Sequence, residues 1–514
     1  MGHLRFDYER LLGAIASGLY TEDQTKAIYR KLCLSDTYFM LRYALGRKDV
    51  EDNPWAIARC NDPSFPDKTV HLWFRGGYKS TIHSLARLIQ RALKNPTHTH
   101  NIFSFKAPIA QKFLTSIRDH LIKSKILNFA FPDIIPQGRD IDTMLTNHKI
   151  RFYTCPDGKR ENTFDYSGLV EGQPTSLHYD HLHYDDIVTP EAVKSSISKR
   201  NLVDAYKMSL NLMAKGATQT IIGTIYAHDD LFNDLKEMGD YHFVIHPVIN
   251  QDRTTNYYSP EDIADKKKMM GSYIFSCQMM LDPIPPDTKL FFPDRDLLIF
   301  DLPKFFRKNY QKIYILNDPA SSDADTSCEN VVMAVGYREE PNKHPFIDVL
   351  EYQNRIGVSV GDNCESIIDM ARRWQADAAY VEAIAYQKVI IKELKRRMQD
   401  SGLVTGHPEH FWVKELKKET SMNKFNNILR IQPFLESGRI TVRPDMVDLF
   451  EQLDKYPKIS LVDIIDLLGY AVMLAPKPKF DEQSFLYDSE IMHFLRFKNN
   501  KVRRGVNSRR RVSL

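Results

Sequence analysis

Two stretches of the chain carry the residue types needed for phosphate chemistry. The first is His71-Leu-Trp-Phe-Arg-Gly-Gly-Tyr-Lys-Ser-Thr81, between an apparent strand and a helix that begins near Ser80. A glycine-rich turn at a helix N-terminus can present backbone N–H groups to a polyphosphate. In such a loop Lys79 reaches the β- and γ-phosphates, and the Ser80 hydroxyl ligates Mg2+. The match to G-x-x-x-x-G-K-[ST] fails at one place, where Tyr78 replaces the glycine before the lysine. Taken alone, the loop also fits an ordinary strand-to-helix turn. The second stretch is His181-Leu-His-Tyr-Asp-Asp-Ile-Val188, which reads as a strand ending in two carboxylates. Asp185 would hold Mg2+, directly or through water, and Asp186 would orient and deprotonate the attacking water. Aspartate is shorter than the glutamate usual at that position, so the water must sit closer or the backbone must shift.

Neighbouring residues admit more than one reading. Thr224 ends the polar side of the run Thr218–Tyr226, where its hydroxyl could sense the γ-phosphate or cap the strand end. His178, Asp180, His181, His183 and Asp185 lie within eight residues, a cluster a di-metal hydrolase could use. The spacing matches neither HxHxDH nor HExxH. Hydrogen-bonded strand histidines are therefore the favoured reading.

A second constellation consists of acids alone. Asp318 ends the apolar run Ile313–Leu316, and Glu382 ends Ala378-Ala-Tyr-Val-Glu382. Asp463 and Asp466 are three apart on an apolar segment, on one face of a helix. Acids in apolar settings are costly unless neutralised. Two Mg2+ or Mn2+ ions would neutralise them, and such a pair activates water and stabilises the leaving oxygen in phosphodiester cleavage. The order strand-Asp, hairpin, strand-Glu, helix-Asp is the RNase H-like arrangement. Each acid alone also fits a structural role at a strand end or helix start.

Periodicity supplies the framework for these residues. Residues 1 to about 60 read as helical, with apolar residues at helical spacing through Leu11, Leu12 and Ile15, and again through Tyr38, Phe39, Leu41 and Leu45. From 69 to 250 short apolar runs alternate with helical stretches, as in a parallel sheet. Strands are expected at Val70–Phe74, Asn101–Phe105, Leu182–Tyr184, Thr218–Ile222 and Tyr241–His246. A proline-rich stretch over 282–293 reads as the domain connection. Beyond 310, strands are expected at Ile313–Leu316, Val331–Tyr337, Phe346–Tyr352 and Ala378–Val381. Helices are expected at Gly361–Trp374, Tyr386–Arg397 and Asp463–Leu474, an α+β order.

Composition bounds the class. The chain has 514 residues, 43% hydrophobic and 26% charged, enough for two to four domains. No run approaches the ~18 apolar residues of a membrane span, and MGHLRFDYER has charges where a signal peptide would be apolar. No membrane association and a cytoplasmic location are the expectation. Cys33, Cys60, Cys155, Cys277, Cys328 and Cys364 form no CxxC pair, which excludes zinc ribbons and redox motifs. The net charge of +4 conceals a tail, Arg496 to Leu514, with eight Lys/Arg and no acid. Such a tail either solvates or touches an anionic partner.

Together the motifs bring the chain, over about 35–475, to a family. It resembles the large terminase subunit of tailed bacteriophages, the ATPase and nuclease of DNA packaging. The resemblance rests on Phe74-Arg-Gly-Gly-Tyr-Lys-Ser-Thr81 as Walker A and Tyr184-Asp-Asp-Ile-Val-Thr189 as Walker B. Ile222-Gly-Thr-Ile-Tyr226 with Asp229-Asp-Leu231 looks like the coupling motif, and Phe275–Pro283 is similar to the segment closing the ATPase domain. Asp318-Pro-Ala320, Ile431–Gly438 and Asp463-Ile-Ile-Asp466 look like nuclease signatures.

The resemblance implies an α/β fold: a P-loop ATPase domain of the ASCE type with a parallel-rich sheet, followed by an RNase H-like α+β nuclease domain. Its helical N-terminal part would span 1–60, the P-loop portion 61–285, a linker 286–305, the nuclease 306–490 and the basic tail 491–514. ATP and Mg2+ would bind Arg75, Gly76, Gly77, Tyr78, Lys79, Ser80, Thr81 and Thr224, with Mg2+ on Ser80 and Asp185. Two Mg2+ or Mn2+ would bind Asp318, Glu382, Asp463 and Asp466. Arg75 matches a position that contacts phosphate or switches with the nucleotide state, and Arg151 or Arg160 would serve as the trans-acting arginine finger. The implied partners are double-stranded DNA, a portal protein, a small terminase subunit and further copies in a ring, typically five. The place of action would be the host cytoplasm and the procapsid portal vertex. Two rivals keep the same residues or fewer: a helicase-like or recombination nuclease unconnected with capsids, and a non-hydrolysing DNA-binding or portal-adaptor protein using Lys417-Lys418 and the tail.

Overall fold

The computed structural model describes residues 7–63, 65–285, 288–299, 307–319, 329–341, 343–382, 388–416, 423–459 and 461–477. The basic tail, Lys417-Lys418, Cys328 and the expected helix start at Tyr386 lie outside them. The chain divides into two compact units, Met1–Thr288 and Lys289–Leu514.

The first unit is built on six strands: β1 (Thr69–Trp73), β2 (His100–Ser104), β3 (Phe164–Gly168), β4 (Tyr179–Asp185), β5 (Met213–Gly223) and β6 (His242–His246). Their order is β3-β2-β4-β5-β1-β6, and every pairing is parallel. Parallel strands need crossovers that cover both sheet faces, so central strands become wholly buried. All five residues of β1 and all five of β2 are buried. One strand, β5, stands between the loop strand β1 and the acid-bearing β4, the added strand of the ASCE class. The N-terminal helices belong to the same unit. Cys33, Phe39, Leu41 and Trp55 share a core with Trp73, Phe74 and Ile82. The helix Glu22–Ser35 starts on a Thr21–Gln24 capping box, which satisfies two donors at its open end. Strand β3 is absent from the sequence expectations, because its run Phe-Asp-Tyr-Ser-Gly has one purely apolar residue.

The second unit carries β7 (Leu298–Ile299), β8 (Lys312–Asp318), β9 (Glu329–Arg338), β10 (Phe346–Ile356), β11 (Ala378–Glu382), β12 (Trp412–Leu416) and β13 (Ile440–Val442). The order is β12-β11-β8-β9-β10-β13-β7. The β8–β9–β10 meander is antiparallel, while β11 pairs parallel with β8 and β12 parallel with β11. A three-strand meander flanked on its first strand by two parallel crossover strands is the RNase H-like arrangement. Strands β13 and β7 widen the opposite edge. This corrects part of the expected linker over 286–305. Leu290 and Phe291 are buried, Pro293–Asp296 is helical, and β7 pairs with β13. Strands β12 and β13 are likewise absent from the sequence expectations; β12 reads Trp-Val-Lys-Glu-Leu, and its residues are mostly exposed.

Histidines are the unusual part of the first core. His71, His83, His100, His181 and His183 are each at most 4% exposed. Burial, first of all, pushes His71, His100 and His183 down to about 3. Unfolded histidine titrates near 6.5, so the unfolded chain takes up protons that the folded one refuses. The stabilisation is complete above pH 6.5 and is lost as pH falls toward 3, by up to about 1.4 kcal/mol per pH unit for each such group. We expect the melting temperature of the first unit to drop steeply between pH 7 and 5. His100→Asn, whose amide can replace the ring bond to the Thr163 carbonyl, should make that drop shallower. Melting that is flat over this range would contradict the assignment.

Candidate functional site

The loop after β1 is held from three sides. Gly76 takes φ 88°, and a Cβ there would stand 2.9 Å from the Tyr258 hydroxyl. The buried Trp55 indole donates to the Gly77 carbonyl (2.9 Å). Tyr78 has φ 64°, the left-handed conformation that a glycine adopts without cost. It is kept there by its ring, which packs on Tyr257 at 5.8 Å, and by its hydroxyl, which donates to the Asp49 carbonyl (3.2 Å). The departure from the glycine pattern therefore changes the residue and keeps the backbone. From Thr81 to Arg87 the helix is wound in the wide π form, a deviation common near functional sites.

The two halves of the candidate phosphate site meet at Asp185. This carboxylate is fully buried at the end of β4. Ser80 donates its hydroxyl proton to Oδ1 (3.1 Å), and Ser84, one turn further on, donates to Oδ2. Burial and then the charge of Asp186 push its pKa up to about 7, against the pull of Lys79 and the two hydroxyls. Lys79 Nζ lies 3.3 Å from Asp186 Oδ1. Burial lowers the Lys79 pKa, but Asp186 and Asp185 together outweigh it and the net shift is upward. Lysine, hydroxyl and two acids thus converge beside an open loop of N–H groups. A hydroxyl oxygen beside a carboxylate is an oxygen-only donor set, which suits Mg2+ and fits the Ser80–Asp185 pair.

The remaining residues divide clearly. Arg75 N–H donates to the Gln278 carbonyl (3.0 Å), and its guanidinium reaches the Gln278 side chain (3.0 Å) and the Tyr226 hydroxyl (3.4 Å). It therefore ties the loop to both the segment after β5 and the segment closing the unit. Asp230 organises the former by accepting from the Tyr226, Ala227 and Phe232 N–H groups. Thr224 is buried, and its hydroxyl donates to the Trp73 carbonyl (3.4 Å) at the root of the loop. Arg151 is spent on the Glu161 and Pro156 carbonyls (3.1 and 2.8 Å), while Arg160 is exposed. His181 bonds Thr218 and His183 bonds Ser84, both at 2.8 Å, while Asp180 accepts from Thr99 and Lys159. These are hydrogen-bonded strand residues, and among the described residues no three or more His, Cys, Asp or Glu stand together as a ready metal-ion set.

In the second unit Asp318 and Glu382 end neighbouring parallel strands, one step beyond the facing pair Asn317 and Val381. Residues in register on parallel strands point to the same sheet face. Glu382 and Asp466 are buried, 1% and 3% exposed. Asp466 accepts from Asn427 Nδ2 (2.8 Å), and Asp463 pairs with Lys424 at the start of the same helix. Two side chains feel the acids together. Burial pushes the Tyr470 hydroxyl up, and the charges of Asp466, Glu382 and Asp318 push it further. Burial lowers Lys424, but Asp463, Asp466 and Asp318 raise it more. The acids thus surround one region with negative charge and oxygen donors, chemistry that fits Mg2+ or Mn2+, without a closed three-ligand cage. Sequence reasoning missed Ser84, Trp55, Gln278, Asn427 and Lys424. Only Ser84 left a signal, a second hydroxyl four residues after Ser80 on the same helical face.

No family model and no curated protein matches the chain. Solved structures similar to it are large terminases. That of a thermophilic bacteriophage shares 11% identity over 83% of this chain and 98% of its own, with a TM-score of 0.49. That of bacteriophage HK97 shares 13% over 83% and 92%, with a TM-score of 0.31. The large terminase nuclease of the thermophilic phage G20c with bound zinc shares 12% over 36% and 98%, with a TM-score of 0.24. At TM-scores below 0.5, the functional assignment rests on this chain's own residues.

The Tyr78 backbone sets a test of the loop. Tyr78→Gly should keep ATP affinity within about threefold, whereas Tyr78→Val, β-branched at a positive φ, should weaken it by about tenfold or more. Equal affinities, measured by titration calorimetry, would mean that the loop does not take this conformation.

Proposed function

We propose that this chain is the large subunit of a viral DNA-packaging motor. It hydrolyses ATP in its first unit to move double-stranded DNA into a procapsid, and cuts concatemeric DNA with its second. The observation that carries the reading is the Lys79–Asp186 and Ser80–Asp185 pairing, which unites two distant motifs on one parallel sheet. The RNase H-like order of the second sheet, with acids at adjacent strand ends, supports the nuclease half.

In the ATPase site the loop N–H groups and Lys79 bind the β- and γ-phosphates. Ser80 and Asp185 would hold Mg2+, which would supply charge neutralisation on the phosphate oxygens. Asp186, released from Lys79 as phosphate takes its place, accepts the proton of the attacking water. Arg75, held by neutral partners alone among the described contacts, is placed to report the nucleotide state to the Tyr226 and Gln278 segments. Arg160 is the arginine left to reach a neighbouring copy in a ring. In the nuclease site Asp318, Glu382 and Asp466 would hold Mg2+ or Mn2+, which supplies activation of water and of the phosphodiester. Asp463 stands at the rim with Lys424. A portal protein, a small terminase subunit and a pentameric ring on the portal complete the proposal, with the basic tail contacting DNA or portal.

The test separates the two units. Lys79→Ala should lower Mg2+-dependent ATP turnover by about 100-fold or more and leave Mn2+-dependent DNA cutting intact. Asp318→Asn should do the reverse. Turnover retained in Lys79→Ala would remove the loop from the active site, and loss of both activities in either variant would deny separate sites. Deleting 496–514 should weaken DNA binding at low salt and flatten its salt dependence; unchanged binding would make the tail passive.

A further inference from the structure

The buried histidines do more than fill a core. On the flank of the helix that leaves the phosphate-binding loop lies a cavity of about 620 Å³. Its walls include His71 from β1, His183 from β4, and His83, Arg87 and Arg91 from the helix, with Phe65 beside them. No step of the ATPase chemistry above uses it.

Two features say what belongs in it. First, His71 Nδ1 and His83 Nε2 are buried with no hydrogen-bond partner among the described residues. The two rings sit 3.9 Å apart, and the residues are 1% and 4% exposed. A buried polar atom left unpaired costs roughly 1–3 kcal/mol, and both residues belong to the cavity lining. Second, the wall carries two guanidiniums, Arg87 and Arg91. Arg87 donates to the Arg59 and Asp62 carbonyls (3.2 and 2.9 Å) and Arg91 to the Thr218 hydroxyl (3.0 Å). Among the described residues neither has a carboxylate within ion-pair distance. Of the two acids at the cavity, Asp36 accepts from the Tyr8 hydroxyl and the Phe39 N–H, and Asp62 lies 3.5 Å from Arg59 with its buried Oδ2 accepting no hydrogen bond among the described residues. Burial lowers the pKa of both guanidiniums, outweighing the opposing charge of Asp62 at Arg87 and of Asp67 at Arg91. A metal cation would meet two guanidiniums and no three-ligand set. An oxyanion would meet planar forks of N–H donors, the chemistry that recognises phosphate.

The cavity is linked to the catalytic carboxylate through two side chains. His183 Nε2 lies 2.8 Å from Ser84 Oγ, and Ser84 donates to Asp185. While Asp185 is ionised, Ser84 gives its one proton to the carboxylate, and His183 Nε2–H is the donor in the first bond. In that state the chain His183, Ser84, Asp185 runs in one direction.

We propose that this cavity is a second anion site, for phosphate or a small phosphate-bearing molecule, whose occupancy is relayed to Asp185 through His183 and Ser84. The relay, though not the site, rests on the reading of Asp185 as part of the ATPase centre. Equilibrium dialysis of the full chain with radiolabelled inorganic phosphate, beside ATP binding, tests it. Arg91→Gln should weaken phosphate by about tenfold or more and leave ATP within about threefold, and Arg91→Lys should recover most of the phosphate affinity. Lys79→Ala should show the opposite pattern. Arg87→Gln has the same expectation as Arg91→Gln should the latter not fold. Adenosine monophosphate that binds more tightly than phosphate, and only with Arg91 present, would identify a nucleotide as the source of the phosphate group; a preference for phosphate would identify the free ion. Phosphate affinity that follows Lys79 and ignores Arg91, or absent phosphate binding beside intact ATP binding, would overturn the site. ATP binding absent in every variant while phosphate still follows Arg91 would overturn the ATPase reading and leave the site standing.

Discussion

A fully buried aspartate is the constraint around which the first unit is arranged. Asp185 sits at the end of a central strand, where an unsupported carboxylate would be untenable. Two hydroxyls from the helix after the loop, Ser80 and Ser84, cover its two oxygens, and Lys79 offsets the pair Asp185–Asp186. Those partners arrive only if the helix N-terminus abuts the end of β4, with β5 filling the space between β1 and β4. Trp55 and the N-terminal helices are then required as well, because they hold the loop carbonyl at Gly77 and cover the sheet beneath it. The raised pKa of Asp185 is the measure of what this arrangement leaves unneutralised, and a divalent cation is the group that would remove it.

The second unit meets the same problem with a different solution. Asp318 and Glu382 are brought level by the parallel pairing of β8 and β11, and Asp466 is added from a helix whose other residues are apolar apart from Asp463, Gly469 and Tyr470. Asn427 satisfies one oxygen of Asp466, and Lys424 tempers the charge at Asp463. Burial and, added to it, the charges of Asp466, Glu382 and Asp318 push the Tyr470 hydroxyl up. Both units thus place carboxylates at strand ends, where a parallel sheet opens toward solvent and ligand.

Much of this was legible without coordinates. The expected strands at 70–74, 101–105, 182–184, 218–222 and 313–316 each appear, because central parallel strands are short apolar runs bounded by polar residues. Strands β3, β12 and β13 and the short β7 were not legible. They lie at or near sheet edges, where one side need not be apolar and alternation fades. Tyr78 illustrates a subtler failure: its residue type argues against a glycine-like turn, yet aromatic packing and one hydrogen bond hold the left-handed backbone. Arg151 and Arg160 are equivalent in sequence, and only the carbonyls around Arg151 distinguish them.

The two-unit α/β plan, the glycine-rich loop between strand and helix, the acid pairs and their order along the chain are all written in the order of residues. Those features are local: they rest on residue type, short spacing and periodicity. Which side chains share a site was settled by tertiary packing. Ser84 with Asp185, Gln278 with Arg75, Asn427 with Asp466, and the histidines with Arg87 and Arg91 are brought together by strand order and helix docking. Residues tens or hundreds of positions apart meet because burying apolar surface chooses the packing, and no short-range pattern records that choice.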